Sequence, residues 1–205
     1  MIEPCCLFHR LKRPAPPTLR EAGEGHSGCV ILLNGPSSAG KSTMARSLKH
    51  AMNGKAVMLS MDDCLSAHRQ HYANALSAAA AEGMSFIQAF HKSIESAARR
   101  GAMVVADHVA GESPVWVDDL FSRLSGIPTA CVRVHCRADI LLSREESRTD
   151  RTPDTAHAMR QHRHIHRHFP HDFSVDTSDM PPAACALALL RHLPALFLHP
   201  FSTRS

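Results

Sequence analysis

A glycine-rich stretch early in the chain has the residue types and the spacing of a phosphate-binding loop, matching G-x-x-x-x-G-K-[ST] without a mismatch. In such a loop, glycines permit a tight turn whose backbone amides face phosphate oxygens at the start of a helix. Lys41 is expected to reach the β- and γ-phosphates, and the Ser42 hydroxyl to ligate Mg²⁺. The loop therefore predicts a site for a nucleoside triphosphate and magnesium. The residues expected to touch the nucleotide are Gly35, Pro36, Ser37, Ser38, Ala39, Gly40, Lys41, Ser42 and Thr43.

The elements that must position this loop alternate between strands and helices. Short apolar runs predict five strands, at 29–33, 56–61, 102–106, 129–134 and 173–175. Helical spacing predicts helices at 42–53, within 65–100 with a break near Gly83, and at 115–125, 140–148, 155–168 and 183–193. This alternation favours right-handed βαβ units, so we predict an α/β fold: a doubly wound parallel sheet of about five strands with helices on both faces. Ligands of such sheets bind at the carboxyl ends of the strands.

Length and composition favour one domain with short flanking segments. The chain has 205 residues, of which 44% are hydrophobic and 20% charged, so a wholly disordered chain is excluded. Residues 1–27 mix prolines, glycines and charges with little periodicity, which predicts a flexible extension. The domain that contains the loop is predicted to span 28–195, and residues 196–205 to form a tail.

Charge, cysteine and hydropathy patterns exclude several classes of partner. A net charge of +4 and an aromatic content of 5% predict no nucleic-acid partner. The chain has no run of 18 apolar residues and no apolar segment after a basic start, so we predict neither a membrane span nor a signal peptide. Its seven cysteines form no C-x-x-C pair and several lie in apolar runs, which favours free thiols in the reducing cytoplasm.

Several separated segments share the residue pattern of one enzyme family: the strand and loop at 30–42, Asp62, the sequence VVAD at 104–107, the lid-like REESRTDR at 144–151 and HDFSVDTS at 171–178. Together they resemble the chloramphenicol phosphotransferase-like family of small P-loop kinases. The resemblance covers about 29–193. It implies a P-loop NTPase fold of the nucleoside-kinase type with a helical lid at about 144–168. It also implies transfer of the γ-phosphoryl group of ATP to an alcohol, which in the family's namesake is a hydroxyl of chloramphenicol, an antibiotic-resistance activity.

The resemblance assigns roles to two aspartates. Asp62 lies 21 positions after Lys41 (62 − 41), as the family's proposed catalytic aspartate does, so it would accept the hydroxyl proton. Asp63 is an alternative base, and Asp62 could instead cap the following helix. Asp107 ends an apolar strand, where an aspartate can hold Mg²⁺ through water or simply close a turn. His108 stands where the resembling sequence has a second acid, which leaves the contacts to the acceptor undetermined.

Three arginines of the lid-like segment are the expected phosphate ligands. Arg144, Arg148 and Arg151 stand at i, i+4 and i+7, so one helical face would present all three if the helix extends that far. Guanidinium groups suit a transition state whose charge is spread over three oxygens, with Arg148 and Arg151 preferred, although a solvated helix face is an alternative. Asp176 and Thr177 are expected near the adenine, through backbone more than side chain.

Six of the sixteen histidines lie close together in the chain, and two pairs at i, i+4 have a spacing that could bind a metal on a helix. No carboxylate or thiol completes a ligand set within the run, and arginines are interspersed with it. We therefore favour a solvated or phosphate-facing helix beside the lid, with a positioning role open for His166. The six are His157, His162, His164, His166, His168 and His171.

A kinase of a small hydroxyl-bearing molecule is the leading functional prediction. Kinases of shikimate, gluconate or adenylylsulfate share the loop and remain alternatives. A regulatory GTPase is disfavoured, because the chain has no [NT]-K-x-D signature and no glycine that completes D-x-x-G after Asp107. A non-catalytic nucleotide-binding module is also disfavoured, because the lysine, the serine and both aspartates that catalysis needs are present.

Overall fold

Five parallel strands form one sheet in the order β2-β3-β1-β4-β5, so the strand that leads into the phosphate loop lies at its centre. The structure is a computed structural model, which describes residues 28–62 and 85–193. All strand pairs are parallel, and the register aligns the carboxyl ends of β1 and β3. The strands are β1 Cys29–Asn34, β2 Val57–Ser60, β3 Met103–His108, β4 Thr129–His135 and β5 Phe173–Asp176.

Helices cover both faces of the sheet because the strands are apolar on both sides. Ile31 and Leu33 of β1 face one core, and Val30 and Leu32 face the other. A chain that connects parallel strands must cross a face each time, and a helix satisfies its backbone while it does so. The helices are α1 Lys41–Ala51, α2 Phe86–Arg99, α3 Pro114–Arg123, α4 Ala138–Glu146, α5 Thr155–His164 and α6 Pro182–His192.

The two cores use different helices. The first core packs α1 and α6 against the sheet, with Leu48 and Leu189 fully buried. The second packs α2 and α3, with Ile94 and Leu120 fully buried. This arrangement confirms the predicted doubly wound α/β sheet. The five predicted strands are all present, with ends that differ by one or two residues.

The described helices end one to four residues earlier than predicted, and the largest difference, four residues, lies in the lid-like region. The helix predicted at 140–148 ends at Glu146, and the one predicted at 155–168 ends at His164. The helix that ends at His164 is followed by Ile165, whose carbonyl accepts a hydrogen bond from the side-chain amide of Asn34, at 3.1 Å. This bond to the end of β1 takes the place of a further helical turn. The oxygen of the same amide accepts from the Gly111 N–H, at 3.2 Å, so Asn34 ties the end of β1 to both neighbouring segments.

Some predicted elements lie outside the described residues: the extension 1–27, the part 65–84 of the helical stretch predicted within 65–100, with its break near Gly83, and the tail 196–205. The described end of that stretch is α2, which begins with a reciprocal cap. The Ser85 N–H donates to the Gln88 side chain at 2.9 Å, and the Ser85 hydroxyl accepts from the Gln88 N–H.

Across the described part of the chain, no helix is both long and apolar enough to cross a bilayer. The cysteines described there, Cys29, Cys131, Cys136 and Cys185, are buried free thiols.

Candidate active site

The phosphate loop connects β1 directly to α1 at the middle of the sheet's carboxyl edge. Gly40 precedes α1 with φ 89°, a left-handed conformation that a glycine adopts without steric cost. At Gly35 a side chain would meet the carbonyl oxygen of Val134 on β4 at 2.1 Å, so only glycine fits where the loop leaves β1. Thr43 is exposed in the first turn of α1. Both glycines of the motif therefore have a steric reason in this fold.

Lys41, Ser42 and Asp107 meet beneath the loop. The Lys41 ammonium donates to the Pro36 carbonyl at 2.9 Å and lies 3.8 Å from the Asp107 carboxylate. The Ser42 hydroxyl donates to the other oxygen of Asp107. Asp107 is only 4% exposed, so a cation or hydrogen-bond donors must offset its buried charge. A hydroxyl and a carboxylate in contact are oxygen ligands of the kind that Mg²⁺ takes, so this donor set fits the predicted ion.

The lid side of the loop is held by two buried polar side chains that sequence reasoning did not single out. The Glu145 carboxylate accepts from the Ser38 hydroxyl at 2.6 Å and from the Ser37 hydroxyl at 3.3 Å. The Gln161 side chain accepts from the Ser37 N–H at 2.7 Å and donates to Glu112 at 2.9 Å. Ser38 has φ 60°, an uncommon value for a residue with a side chain, so these bonds help to hold a strained turn.

The three lid arginines do not share one helical face as predicted, because α4 ends at Glu146 before Arg148 and Arg151. All three nevertheless reach the loop or the residues that contact it. The Arg151 guanidinium donates to the Ser37 hydroxyl at 2.8 Å, and Arg148 reaches the same oxygen at 3.5 Å. Arg144, which does lie on α4, donates to the Thr177 side chain and carbonyl at 3.1 and 2.7 Å.

The turn after β5 is attached to the phosphate loop by a side chain. Thr177 is fully buried, and its hydroxyl donates to the Ala39 carbonyl at 2.8 Å. Asp176 accepts from the backbone N–H of Ser178 at 2.8 Å, which closes the turn. The sequence motif around Thr177 therefore has a structural role at the loop, and the contact with adenine stays a prediction.

Asp62 lies two residues beyond β2, at the same edge of the sheet as the loop. The last residue of β2, Ser60, pairs in register with Asp107 on β3. Asp62 is exposed, and its charge is one of those that act on Arg148. The hydrogen bond from Arg148 to Asp150 is the main cause that raises the pKa of this arginine, with Asp62 adding to it. The alternative base, Asp63, lies outside the described residues.

His108 lies in a buried chain of three side chains. Its Nε2 is 2.7 Å from Nε2 of His91, whose Nδ1 is 2.6 Å from the Asp119 carboxylate. The Val109 N–H donates to Nδ1 of His108 at 2.8 Å, so a neutral His108 carries its proton on Nε2 and donates to His91. His91 then donates to Asp119. Burial is the main cause that lowers the pKa of both histidines. Sequence reasoning missed His91 and Asp119, because only the packing of α2 and α3 on β3 brings them together.

The histidines of 157–171 differ in their surroundings and do not converge on one site. His162 contacts the Cys136 carbonyl at 3.0 Å, and His157 contacts Arg160 at 2.7 Å. His166 has buried ring nitrogens without a partner among the residues described, and burial, with Arg133 and other positive groups, lowers its pKa to about 3. Within 28–62 and 85–193, no group of three His, Cys, Asp or Glu side chains is arranged to hold a metal. The positioning role of His166 stays a prediction.

Comparison with known proteins decides the family. A sequence model of the chloramphenicol phosphotransferase-like proteins matches residues 28–194. The chain belongs to this family. The resemblance noted in the sequence is thereby confirmed, and membership supports a phosphotransferase of the kinase type that binds a nucleotide at its P-loop. Among proteins of curated function, none matches the chain significantly.

Solved structures share the fold of this family member at low sequence identity. A gluconokinase from Sinorhizobium meliloti 1021 is 20% identical, with a TM-score of 0.56, over 87% of this chain and 99% of that one. The APS kinase of Mycobacterium tuberculosis, solved with AMPPNP and APS, is 14% identical, with a TM-score of 0.56, over 80% and 96%. The Deinococcus radiodurans tunicamycin resistance protein is 17% identical, with a TM-score of 0.54, over 82% and 97%. These matches confirm the P-loop kinase fold.

Proposed function

We propose that the chain transfers the γ-phosphoryl group of ATP to a hydroxyl group of a small molecule in the cytoplasm. The observation that carries the proposal is the meeting of Lys41, Ser42 and Asp107 beneath the loop, with Arg148 and Arg151 at its rim. Phosphoryl transfer needs this set of groups: a lysine, a hydroxyl, a carboxylate and the guanidinium groups of long arginine side chains. Family membership supports the same reaction class.

The loop would bind the triphosphate through its later amides. The Ser37 N–H is engaged by Gln161 and the Ala39 N–H donates to the Pro36 carbonyl at 3.3 Å, so the amides of Ser38 and of 40–42 would bind the phosphate oxygens. Lys41 would exchange the Pro36 carbonyl for oxygens of the β- and γ-phosphates. The side of the loop that carries Thr177, with Arg144 and Asp176, would face the adenosine. This arrangement directs the γ-phosphate towards Arg148 and Arg151.

Asp62 is the proposed base. It would accept the proton of the acceptor hydroxyl as the acceptor oxygen forms a bond to the γ-phosphorus. The bond between that phosphorus and the β,γ-bridging oxygen breaks, and ADP leaves. Proton removal contributes about 10²–10⁴-fold, while positioning and charge neutralisation supply most of the remainder. The position of Asp62, two residues after β2 at the carboxyl edge of the sheet where the loop also lies, supports this role.

Ser42 and Asp107 are the residues that would hold Mg²⁺. The ion, when bound, would supply positive charge that offsets the negative charge of the phosphate groups. Lys41 stays within reach of the same carboxylate, so the buried charge of Asp107 is balanced whether or not the ion is bound.

The acceptor is proposed to be chloramphenicol or another small alcohol. Phosphorylation of chloramphenicol would be an antibiotic-resistance activity. His108 bears on the choice, because it replaces a second acid of the resembling sequence with a fully buried ring bonded to His91. It therefore offers no carboxylate to an acceptor. This observation supports a second candidate acceptor, a hydroxyl metabolite of the gluconate, shikimate or adenylylsulfate type.

ADP release in the presence of hydroxyl-bearing antibiotics and metabolites, chloramphenicol included, tests the proposal. Lys41→Ala and Asp62→Asn should each lower kcat/KM by about 10²-fold or more while the circular dichroism spectrum is unchanged. Asp118→Asn makes the same change at an exposed site on α3 and should match the wild type. Near-wild-type turnover by Asp62→Asn would remove the base assignment. Stimulation by none of the compounds would favour the non-catalytic nucleotide-binding module.

A further inference from the structure

A fully buried carboxylate joins the lid to the phosphate loop. Glu145, in the last turn of α4, has no exposed surface. One of its oxygens accepts from the Ser38 hydroxyl at 2.6 Å, and the other accepts from the Asp154 N–H at 2.9 Å. The Arg151 guanidinium lies 2.7 Å from the second oxygen and 3.0 Å from the first. The loop, the lid arginine and the residue that caps α5 therefore share one anion.

The ionised state of Glu145 is well supported despite its burial. Burial alone would raise the pKa of this carboxyl, but the Asp154 N–H, the Ser38 hydroxyl and Arg151 together hold it below its ordinary value. A buried charge whose lone pairs are all engaged keeps its neighbours in one arrangement, because each departure leaves an unsatisfied group. The Glu145 carboxylate thus keeps a negative charge at a fixed position, and the lid side of the loop is hydrogen-bonded to it.

Arg151 is the group that this point immobilises. The nitrogen that pairs with Glu145 also donates to the Ser37 hydroxyl at 2.8 Å, and the other terminal nitrogen donates to the Thr152 carbonyl at 2.9 Å. Arg148 is held differently, by two bonds to Asp150 at 2.9 and 2.6 Å. Removing the charge of Glu145 should therefore release Arg151 and leave Arg148 in place.

We propose that Glu145 is a positioning residue that holds Arg151 at the rim of the phosphate loop, ready for the γ-phosphate. The inference rests on the proposed function, because it takes the ligand of the loop to be ATP. An arginine that is already fixed loses little freedom when the triphosphate arrives, so its charge-assisted bonds favour ATP over ADP. Glu145 acts through Arg151 and touches no reacting atom.

Nucleotide binding without an acceptor tests this directly. The dissociation constants of ADP and of a non-hydrolysable ATP analogue, both with Mg²⁺, are measured by calorimetry for the wild type and for Glu145→Gln. The wild type should prefer the triphosphate by about tenfold, and Glu145→Gln should lose most of that preference while its affinity for ADP changes by less than about twofold. Glu146→Gln makes the same change at the exposed neighbouring position and should keep the wild-type ratio.

A double-variant cycle separates positioning from a general structural role. Arg151→Gln should lose the same preference, and adding Glu145→Gln to it should cause no further loss of preference, because the carboxylate distinguishes the triphosphate from the diphosphate only through the arginine. The double variant also removes both charges, so it folds without an unpaired buried ion even if one single variant does not. Losses that multiply in the double variant would overturn the inference, as would equal ratios in Glu145→Gln and the wild type. If the wild type bound no nucleotide, the proposed function would fail, and this inference with it.

Discussion

The buried pair His91 and His108 makes the stability of the fold sensitive to mild acid. An unfolded histidine takes up a proton near pH 6.5, whereas His108 is fully buried, accepts from the Val109 N–H and donates to His91. The charged groups that act on the pair are Asp119 and, with opposite sign, Lys41 and Arg123. A proton on His108 would place two N–H groups face to face at Val109, so the native ring stays neutral.

The sign and size of the effect follow from proton linkage. The pKa of His108 is well below 6.5 in the folded chain, so below pH 6.5 the unfolded state binds more protons than the native state. Stability therefore falls as the pH falls, by about 1.4 kcal/mol per pH unit for each histidine that stays neutral. Between pH 6.5 and 5.0, His108 alone should lower the free energy of unfolding by about 2 kcal/mol, and His91 should lower it further. That is a large fraction of the stability of an ordinary domain.

Urea unfolding at several pH values between 7.5 and 5.0 measures this loss, followed by circular dichroism and by the fluorescence of Trp116, the one tryptophan. His108→Gln keeps hydrogen-bonding groups but does not titrate. Because the other fifteen histidines are common to both proteins, the difference in unfolding free energy reports the titration of His108 together with any change that its loss causes in its partner His91. The wild type should lose about 2 kcal/mol more than the variant across this range. A difference that is the same at pH 7.5 and pH 5.0 would refute the reasoning.

Two further substitutions test contacts near the loop. Gly111→Ala places a methyl group 1.7 Å from the Ile165 carbonyl oxygen, so it should lower the free energy of unfolding in urea by about 2–4 kcal/mol. The control is Gly126→Ala, which has open space around it and is strained only by its φ of 77°. It should lower the free energy of unfolding by about 1 kcal/mol. Thr177→Val removes the donor to the buried Ala39 carbonyl and should lower stability by about 1–3 kcal/mol and raise the Kd for ATP, while Thr177→Ser should stay near the wild type in both measurements.

The strands and the loop were predictable because their signals are local. The apolar run before Gly35 must be buried on both faces, and such runs predict parallel strands whichever helices cover them. The glycine positions of the loop have their steric reasons within a few residues or on the adjacent strand. Family resemblance added the lid and the aspartates. The matched family model confirms the family, and the roles of these residues stay predictions.

The parts that the sequence did not predict depend on contacts between distant segments. The early end of α5 follows from the bond between Asn34 and Ile165, which are 131 positions apart. Glu145 was described only as part of a charged lid, and nothing in its local sequence shows that it is buried against Ser38. The hydrogen bond between His91 and His108 forms only if α2 packs on β3 in the register that brings the two rings together. Local patterns do not carry that information.

The position of Asn34 also bears on the chemical ageing of the chain. Asn34–Gly35 and Asn53–Gly54 are its two asparagine–glycine steps, the sequence at which the following backbone nitrogen most readily attacks the side-chain amide and releases ammonia. Asn53 is exposed after α1, whereas Asn34 is fully buried with its amide engaged at both ends. The native fold thus protects the step at the entrance of the phosphate loop. Each unfolding event exposes this step to deamidation. An aspartate formed at position 34 could no longer donate to the Ile165 carbonyl, so deamidation in the unfolded state would damage the chain irreversibly.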